Sequence, residues 1–427
     1  MRFDEATRDL EARGEGRMIP GLERIRAVAD LLANPQHTYP TVHVAGTNGK
    51  TTTARLVARI LCAHGISTGL STSPHLHSVT ERLVLCDEPI GDAEFGETYA
   101  HLLPYLEEVD RRGERVTYFE TLAAMAFLWF ADKPVEAGVF EVGMGGTWDA
   151  TNLIRSEIAV VCPIGLDHRE LGSTVGEVAA EKAGILKAGS IGMVREQRPE
   201  ARAVLEARAD DVGATLHFEG QDFELATRDP AVGGQRIAVR GLHGEYGELP
   251  LRLHGAHQAR NAAAAIVASE AFLGRELSVG PLREALGGAS SPGRLEVASR
   301  HPLVLLDGAH NPDGAEALAG AIGEVFLWKR LLLVIGVLEG KDLEGIVAPL
   351  ASRTHSAFAC ASSHPKAVSA ERMAQVCDAA GIPAIAYPTV AAALDAAERA
   401  AAADDLILVT GSLYTVADAR PRYLRGT

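Results

Sequence analysis

No stretch of this sequence approaches the ~20 consecutive apolar residues that a bilayer-crossing helix requires. Cysteine is sparse: Cys62, Cys86, Cys162, Cys360 and Cys377 form no CxxC pair and no zinc spacing. An odd, scattered set in a long chain is expected to stay as reduced core thiols in the cytoplasm. Basic residues are in deficit too, with 41 Lys and Arg against 56 Asp and Glu, a net charge of −15. A polyphosphate backbone would be repelled on average, so no nucleic-acid partner is expected. A small anionic ligand stays open, because backbone amides and a few cations can reverse the field locally. Met1-Arg2-Phe3-Asp4-Glu5 carries acids where a signal peptide has basic and then apolar residues. Neither secretion nor a membrane partner is expected.

What is present is the balance of a globular protein, with 47% hydrophobic and 23% charged residues. A length of 427 residues exceeds one ordinary core, so two domains are expected. Thr41 to Ala45, Val139 to Val142 and Ile158 to Val161 read as buried strands, with helices over Thr51 to His64 and Thr121 to Phe130. That rhythm predicts an α/β fold with a mostly parallel sheet wrapped by helices. Residues 215 to 253 change to short alternating runs rich in glycine, which predicts antiparallel strands. Gly287-Gly288-Ala289-Ser290-Ser291-Pro292-Gly293 is the linker candidate. After it the rhythm restarts at Leu303 to Leu306, Leu331 to Ile335, Ala357 to Ala361 and Leu406 to Val409. The expected domains are therefore residues 1–292 and a smaller, Rossmann-like α/β unit over 293–427.

Val44-Ala45-Gly46-Thr47-Asn48-Gly49-Lys50-Thr51-Thr52-Thr53 runs from a predicted strand into a predicted helix. Glycines there let backbone amides converge on phosphate oxygens, and the helix N-terminus favours the anion. Lys50 neutralises charge, and the Thr51 hydroxyl can face magnesium. The P-loop pattern is incomplete, because its first glycine would fall at Val44.

Glu141 ends a buried strand at the edge where α/β sheets bind ligands, and a carboxylate oxygen suits magnesium. A solvated strand-end acid is the plainer alternative. Asp167-His168 follows the next strand and so shares that edge. Lys182 lies at i+4 from Val178 and three before Ile185, on the apolar face of a helical run from Gly176 to Lys187. A snorkelling lysine explains this spacing most simply. Desolvation would instead leave a neutral amine able to take up carbon dioxide as a carbamate.

These segments, in this order, resemble the Mur ligase superfamily and, within it, the folylpolyglutamate and dihydrofolate synthases. The markers are Gly21-Leu22-Glu23-Arg24-Ile25, the phosphate loop, Thr72-Ser73-Pro74-His75-Leu76, Thr117-Tyr118-Phe119-Glu120 and Glu141-Val142-Gly143-Met144-Gly145-Gly146. They continue with Trp148-Asp149-Ala150-Thr151-Asn152, Asp167-His168, Glu181-Lys182-Ala183-Gly184-Ile185 and His257-Gln258-Ala259-Arg260-Asn261. Gly293-Arg294-Leu295-Glu296 and Asp307-Gly308-Ala309-His310-Asn311-Pro312 complete the set.

The resemblance implies an ATP-dependent, amide-forming ligase, acting as a monomer, that joins L-glutamate to folate or dihydropteroate. It implies that Asn48, Gly49, Lys50, Thr51, Thr52, Asn261, Arg294 and Asp307 bind ATP. Ser73, Glu141, His168 and a carbamylated Lys182 would hold Mg2+, with Lys50, Lys182 and His310 closest to the chemistry. Thr117, Tyr118, Phe119, Glu120, Trp148, Asp149 and Ala150 would meet the pterin-bearing substrate. Thr51 departs from the family pattern, where glycine is usual; so does Thr147, where many relatives carry arginine. The spacing from His168 to Leu171-Gly172 is also shorter. A murein-precursor ligase and a non-catalytic nucleotide-binding regulator are the competing readings.

Overall fold

The computed structural model describes residues 1–14, 19–113, 115–167 and 169–424. Eight strands form the larger sheet: β1 (Thr41–Ala45), β2 (Thr68–Ser71), β3 (Leu83–Leu85), β4 (Glu88–Pro89), β5 (Ala137–Glu141), β6 (Ile158–Val161), β7 (Ile191–Val194) and β8 (Thr215–Phe218). Their order is β4-β3-β2-β5-β1-β6-β7-β8, parallel except at the β2-β3-β4 edge. Strands β1, β5 and β6 are buried on both faces, which is why their apolar residues run without alternation. Inside β1 the ring of His43 meets the Thr151 hydroxyl at 2.8 Å, and burial holds its pKa down to about 3, so it stays neutral.

Helix Lys50–Ala63 packs Leu56, Val57, Ile60 and Leu61 into the core beside helix Ala256–Leu273. The run Ala262 to Ala265 is fully buried there, small side chains letting the two backbones approach. On the other face, helix Tyr118–Asp132 is almost wholly buried. Phe130 sits edge-on to Tyr39 at 6.1 Å and 5.5 Å from the Phe140 ring, contacts each worth about 0.5–1.5 kcal/mol beyond area burial.

Three antiparallel strands follow: β9 (Glu224–Ala231), β10 (Gly234–Arg240) and β11 (Glu245–Leu251). The antiparallel region expected from residue 215 thus starts later, because Thr215–Phe218 pairs parallel to β7 as the edge of the large sheet. The second sheet holds β12 (Glu296–Arg300), β13 (Leu303–Leu306), β14 (Leu331–Ile335), β15 (Thr354–Cys360), β16 (Ala384–Tyr387) and β17 (Leu406–Thr410), in the order β12-β13-β17-β14-β15-β16. Only β12 runs antiparallel to its neighbour.

Two further expectations are corrected. The helical run expected over 176–187 is an α-helix only over Val175–Lys182, and Ala183–Ile185 tightens into a 3-10 turn. Cys62 and Cys86 are not free thiols but a disulfide, with Cα atoms 5.6 Å apart. The last turn of helix Lys50–Ala63 lies against the β3–β4 turn, where Cys86 has φ +44°. Cys162, Cys360 and Cys377 are free and buried. Among the described residues, no helix is long and apolar enough to cross a membrane.

Candidate active site

The phosphate loop joins β1 to helix Lys50–Ala63 and needs its glycines for space as well as conformation. A Cβ on Gly49 (φ +91°) would lie 2.6 Å from Asn261 Oδ1, so the loop and helix Ala256–Leu273 touch through this residue. Lys50 folds back on the Thr47 carbonyl at 3.3 Å. Thr51 donates its hydroxyl to Glu141 Oε1 at 2.7 Å, and the Ser73 amide donates to Oε2 at 3.1 Å. Burial pushes the Glu141 carboxyl up, against the pull of Lys50, Thr51 and Ser73. A divalent cation would relieve that cost, since hard ions take oxygen donors.

Lys182 is 4% exposed, so it does not snorkel. Burial first, and Lys50 second, lower its pKa to about 7. An amine so placed is partly neutral at neutral pH and is the form that can add carbon dioxide. Lys182, Glu141 and Ser73 line one cavity with residues 46–52. His168 lies outside the described residues. Among the described residues, no group of three His, Cys, Asp or Glu could hold a metal; of the expected set, Glu141 is the one described residue of those types.

The second sheet contributes the opposite wall. Asp307 accepts from Leu295 N at 2.7 Å and Ala309 N at 2.8 Å, and burial pushes its carboxyl up. His310 turns Nδ1 to the Gly308 carbonyl at 2.8 Å, which leaves Nε2 3.5 Å from Asp167. Asp167 also pairs with Lys341. Arg294 lines the same cavity, of about 230 Å³. Every nucleotide residue expected from the sequence is gathered there: Asn48, Gly49, Lys50, Thr51, Thr52, Asn261, Arg294 and Asp307.

A second cavity, of about 330 Å³, is lined by all seven residues expected to meet the other substrate. Thr117 caps helix Tyr118–Asp132, and Glu120 completes the capping box. Glu120 is already engaged by Arg24 at 3.0 and 3.1 Å. Phe119 closes on Gly143, where a Cβ would come within 2.4 Å of its ring. The Trp148 amide is held by Glu181 Oε1 at 3.2 Å. Asp149 accepts from Met144 N at 2.9 Å and Thr151 N at 3.0 Å, and Ala150 is buried beside it. Arg82 lies 5.3 Å above the Tyr118 ring. Thr147 gives its amide (2.9 Å) and hydroxyl (3.1 Å) to the Glu181 carbonyl, so it braces the loop.

The two cavities share Ser73, Pro74, Gly143, Met144, His310 and Leu413. A phosphate held in the first can therefore meet a carboxylate entering from the second. Sequence reading missed Arg195 in the first cavity, and Lys341, Ser412 and Tyr414 in the second; it placed His257 and Gln258 in a marker segment but gave them no role. Lys341 had a usable signal: Gly340-Lys341 follows β14 at the ligand-binding edge of the second sheet.

Residues 44–269 match the Mur ligase middle domain, and residues 293–413 the Mur ligase glutamate ligase domain. The chain is 40% identical over 379 residues to the dihydrofolate synthase/folylpolyglutamate synthase of Mycobacterium tuberculosis, covering 84% of this chain and 78% of that protein. It is similar to a solved structure of Mycobacterium tuberculosis folylpolyglutamate synthase complexed with ADP, with a TM-score of 0.95 and 38% identity over 99% of this chain and 98% of that one. An Escherichia coli protein solved with DHPP and ADP matches with a TM-score of 0.88 and 32% identity, covering 99% of this chain and 97% of that one.

Proposed function

This chain belongs to the Mur ligase family, and from that premise we propose that it joins L-glutamate to a folate, and to dihydropteroate, at the expense of ATP. The observation that carries the reading is the meeting of two cavities at Ser73, Pro74, Gly143, Met144, His310 and Leu413. One cavity is lined by phosphate-gripping groups; the other sets aromatic and apolar groups beside the cations Arg82 and Lys341, as a nucleotide and a ring-bearing acid require.

A free carboxylate is a poor electrophile, so the acid must first be phosphorylated. Its oxygen attacks the γ-phosphorus of ATP, the bond to the β-phosphate oxygen breaks, and ADP leaves. The glutamate amine then attacks the acyl phosphate carbon, loses a proton and expels inorganic phosphate. Lys50 and the amides of residues 46–49 offset charge on the transferring group. His310 stands where the cavities join, beside the reacting carboxylate. Asp167 from the first cavity and Lys341 from the second form an ion pair that brings charges of both signs to this junction, suited to an amino acid bearing an amine and carboxylates. The second sheet closes over the phosphate loop and keeps water from the acyl phosphate.

Magnesium, when bound, would neutralise the phosphate oxygens. Glu141, Ser73 and His168 would hold it, with a carbamate formed when the neutral Lys182 amine adds carbon dioxide and releases a proton. In this reading residues 1–292 carry the phosphate loop and the folate-facing segments, and 293–427 carry glutamate and close the ATP cavity with Arg294 and Asp307. The reading includes a monomer working in the cytoplasm, without nucleic acid.

Phosphate release measured with tetrahydrofolate, dihydropteroate or a UDP-muramyl peptide, each with its amino acid, tests this directly. Release with either pterin substrate and glutamate is expected. Release only with the muramyl peptide would replace the substrate, and none at all would leave a nucleotide-binding regulator.

A further inference from the structure

Arg195 stands immediately after β7, at the ligand-binding edge of the large sheet, and its side chain is 4% exposed. So deep an arginine needs a counter-charge, and Glu219, just past β8, supplies it at 2.8 Å from Nε with 9% exposure of its own. Another arm of the fork donates to Asn261 Oδ1 at 2.7 Å. The Asn261 amide nitrogen in turn donates to Gln258 Oε1 at 3.0 Å. Arg195, Asn261 and Gln258 all line the nucleotide cavity.

An asparagine amide can present either its oxygen or its nitrogen, and a buried donor decides which. Arg195 has only donors, so Asn261 must turn its oxygen towards it. The nitrogen then donates to the Gln258 oxygen, which fixes the Gln258 amide with its oxygen turned towards Asn261. Asn261 is also the side chain against which Gly49 closes. The polarity of one wall of the cavity therefore traces back to the Glu219–Arg195 pair.

We propose that Arg195, held by Glu219, is a positioning residue for nucleotide binding, acting through the relay Arg195–Asn261–Gln258. The inference rests on the nucleotide role of this cavity and adds what fixes its hydrogen-bonding sense. Arg195 touches none of the transferring atoms by this account, so its loss weakens nucleotide binding and leaves the chemical step nearly intact.

The test is calorimetric titration of Mg·ADP into the full-length protein, with steady-state kinetics beside it. R195M alone would leave the Glu219 carboxylate with only the Glu196 amide and Arg260 at 3.8 Å, so the working variant is R195M/E219Q, its fold checked by circular dichroism and thermal unfolding. Expected are a roughly tenfold rise in Kd for ADP and in KM for ATP, with kcat at saturating ATP within about threefold of wild type. R195K, which keeps the charge but not the planar fork of donors, should recover part of the loss. In an N261A background, adding R195M/E219Q should change Kd by less than about twofold, because the relay is already broken. Full additivity in that background, or an unchanged Kd in the folded double variant, would overturn the assignment. Wild-type protein that bound no ADP would instead remove the nucleotide reading beneath it.

Discussion

Asn48 and Asn311 exchange two amide hydrogen bonds, at 3.1 and 3.0 Å, across the gap between the phosphate loop and the second sheet's first long helix. Asn311 does a second job with the same side chain, capping helix Pro312–Val325 through the Gly314 amide at 2.8 Å. The two roles are separable. Asn311→Asp keeps an acceptor for the cap but loses the donor to Asn48 and adds a negative charge beside the phosphate loop. Asn311→Ala loses both. Thermal unfolding should therefore find Asn311→Asp close to wild type and Asn311→Ala about 1 kcal/mol less stable. Both should raise KM for ATP, Asn311→Asp by about tenfold or more. A normal KM in Asn311→Asp would mean the clasp is incidental to nucleotide binding.

Lys182 gives the pH dependence a sign. Its pKa of about 7 lies below the ordinary 10.5, so the fold favours the neutral amine. In the unmodified protein, the cost of burying the ammonium is fully present below about pH 7 and is relieved as pH rises towards 10.5. Carbamate formation draws on the neutral form, which falls about fivefold between pH 7 and pH 6. At fixed dissolved carbon dioxide, the carbamate signal from 13C-labelled bicarbonate and the turnover rate should fall together over that interval. Lys182→Met should lower kcat by at least about a hundredfold. Turnover indifferent to removal of carbon dioxide, with an unmodified lysine by mass, would rule the carbamate out.

How far the sequence foretold all this depends on how local each signal is. Strand β1 was legible because Val42 and Val44 announce a strand and the next ten residues announce a phosphate loop. Strands β2 and β7 were not read, since Gly69 and Gly192 stand where a β-branched residue would mark a strand. Gly69 is required by packing, a Cβ falling 2.6 Å from the Phe130 ring, whereas at Gly192 a Cβ would press on the tip of the Leu216 side chain. The candidate site was legible where a motif carries its own geometry, as at Asn48 to Thr52 or Asp307 to Asn311. It was illegible where function depends on what lies across the fold. Spacing put Lys182 on an apolar face, but only its neighbours decide that the ammonium cannot reach water. Arg195 is one arginine among many until Glu219 and Asn261 are seen beside it.

The pairing of Arg24 with Glu120 allows a sharp test of the second cavity. Both side chains are nearly buried, 10% and 5% exposed, and Glu120 also accepts from the Thr117 amide at 2.8 Å. Removing the cation alone strands a buried carboxylate. Arg24→Ala should cost about 3–5 kcal/mol in urea unfolding. R24A/E120Q should recover most of that, because a neutral amide keeps an acceptor for Thr117 without an unpaired charge. Glu120 lines the cavity, so KM for the pterin substrate should rise in Arg24→Ala more than KM for ATP. An Arg24→Ala variant as stable as wild type would show that the pair carries little.

The disulfide between Cys62 and Cys86 closes a loop of 24 residues at the far end of the phosphate-loop helix. Closing a loop of that length restricts the unfolded chain by about 3 kcal/mol. Cys86 is exposed, so a reductant can reach the bond. Dithiothreitol should lower the unfolding temperature of the native protein to that of Cys86→Ser, and should leave Cys86→Ser itself unmoved. The loop at the other end of the helix is held independently, by Asn48 against Asn311 and by Thr52 against Ser291 at 3.0 Å. Reduction should therefore change KM for ATP by less than about twofold while stability falls. Five titratable thiols in protein purified without reductant, and no shift with dithiothreitol, would mean that Cys62 and Cys86 stay reduced in the folded protein.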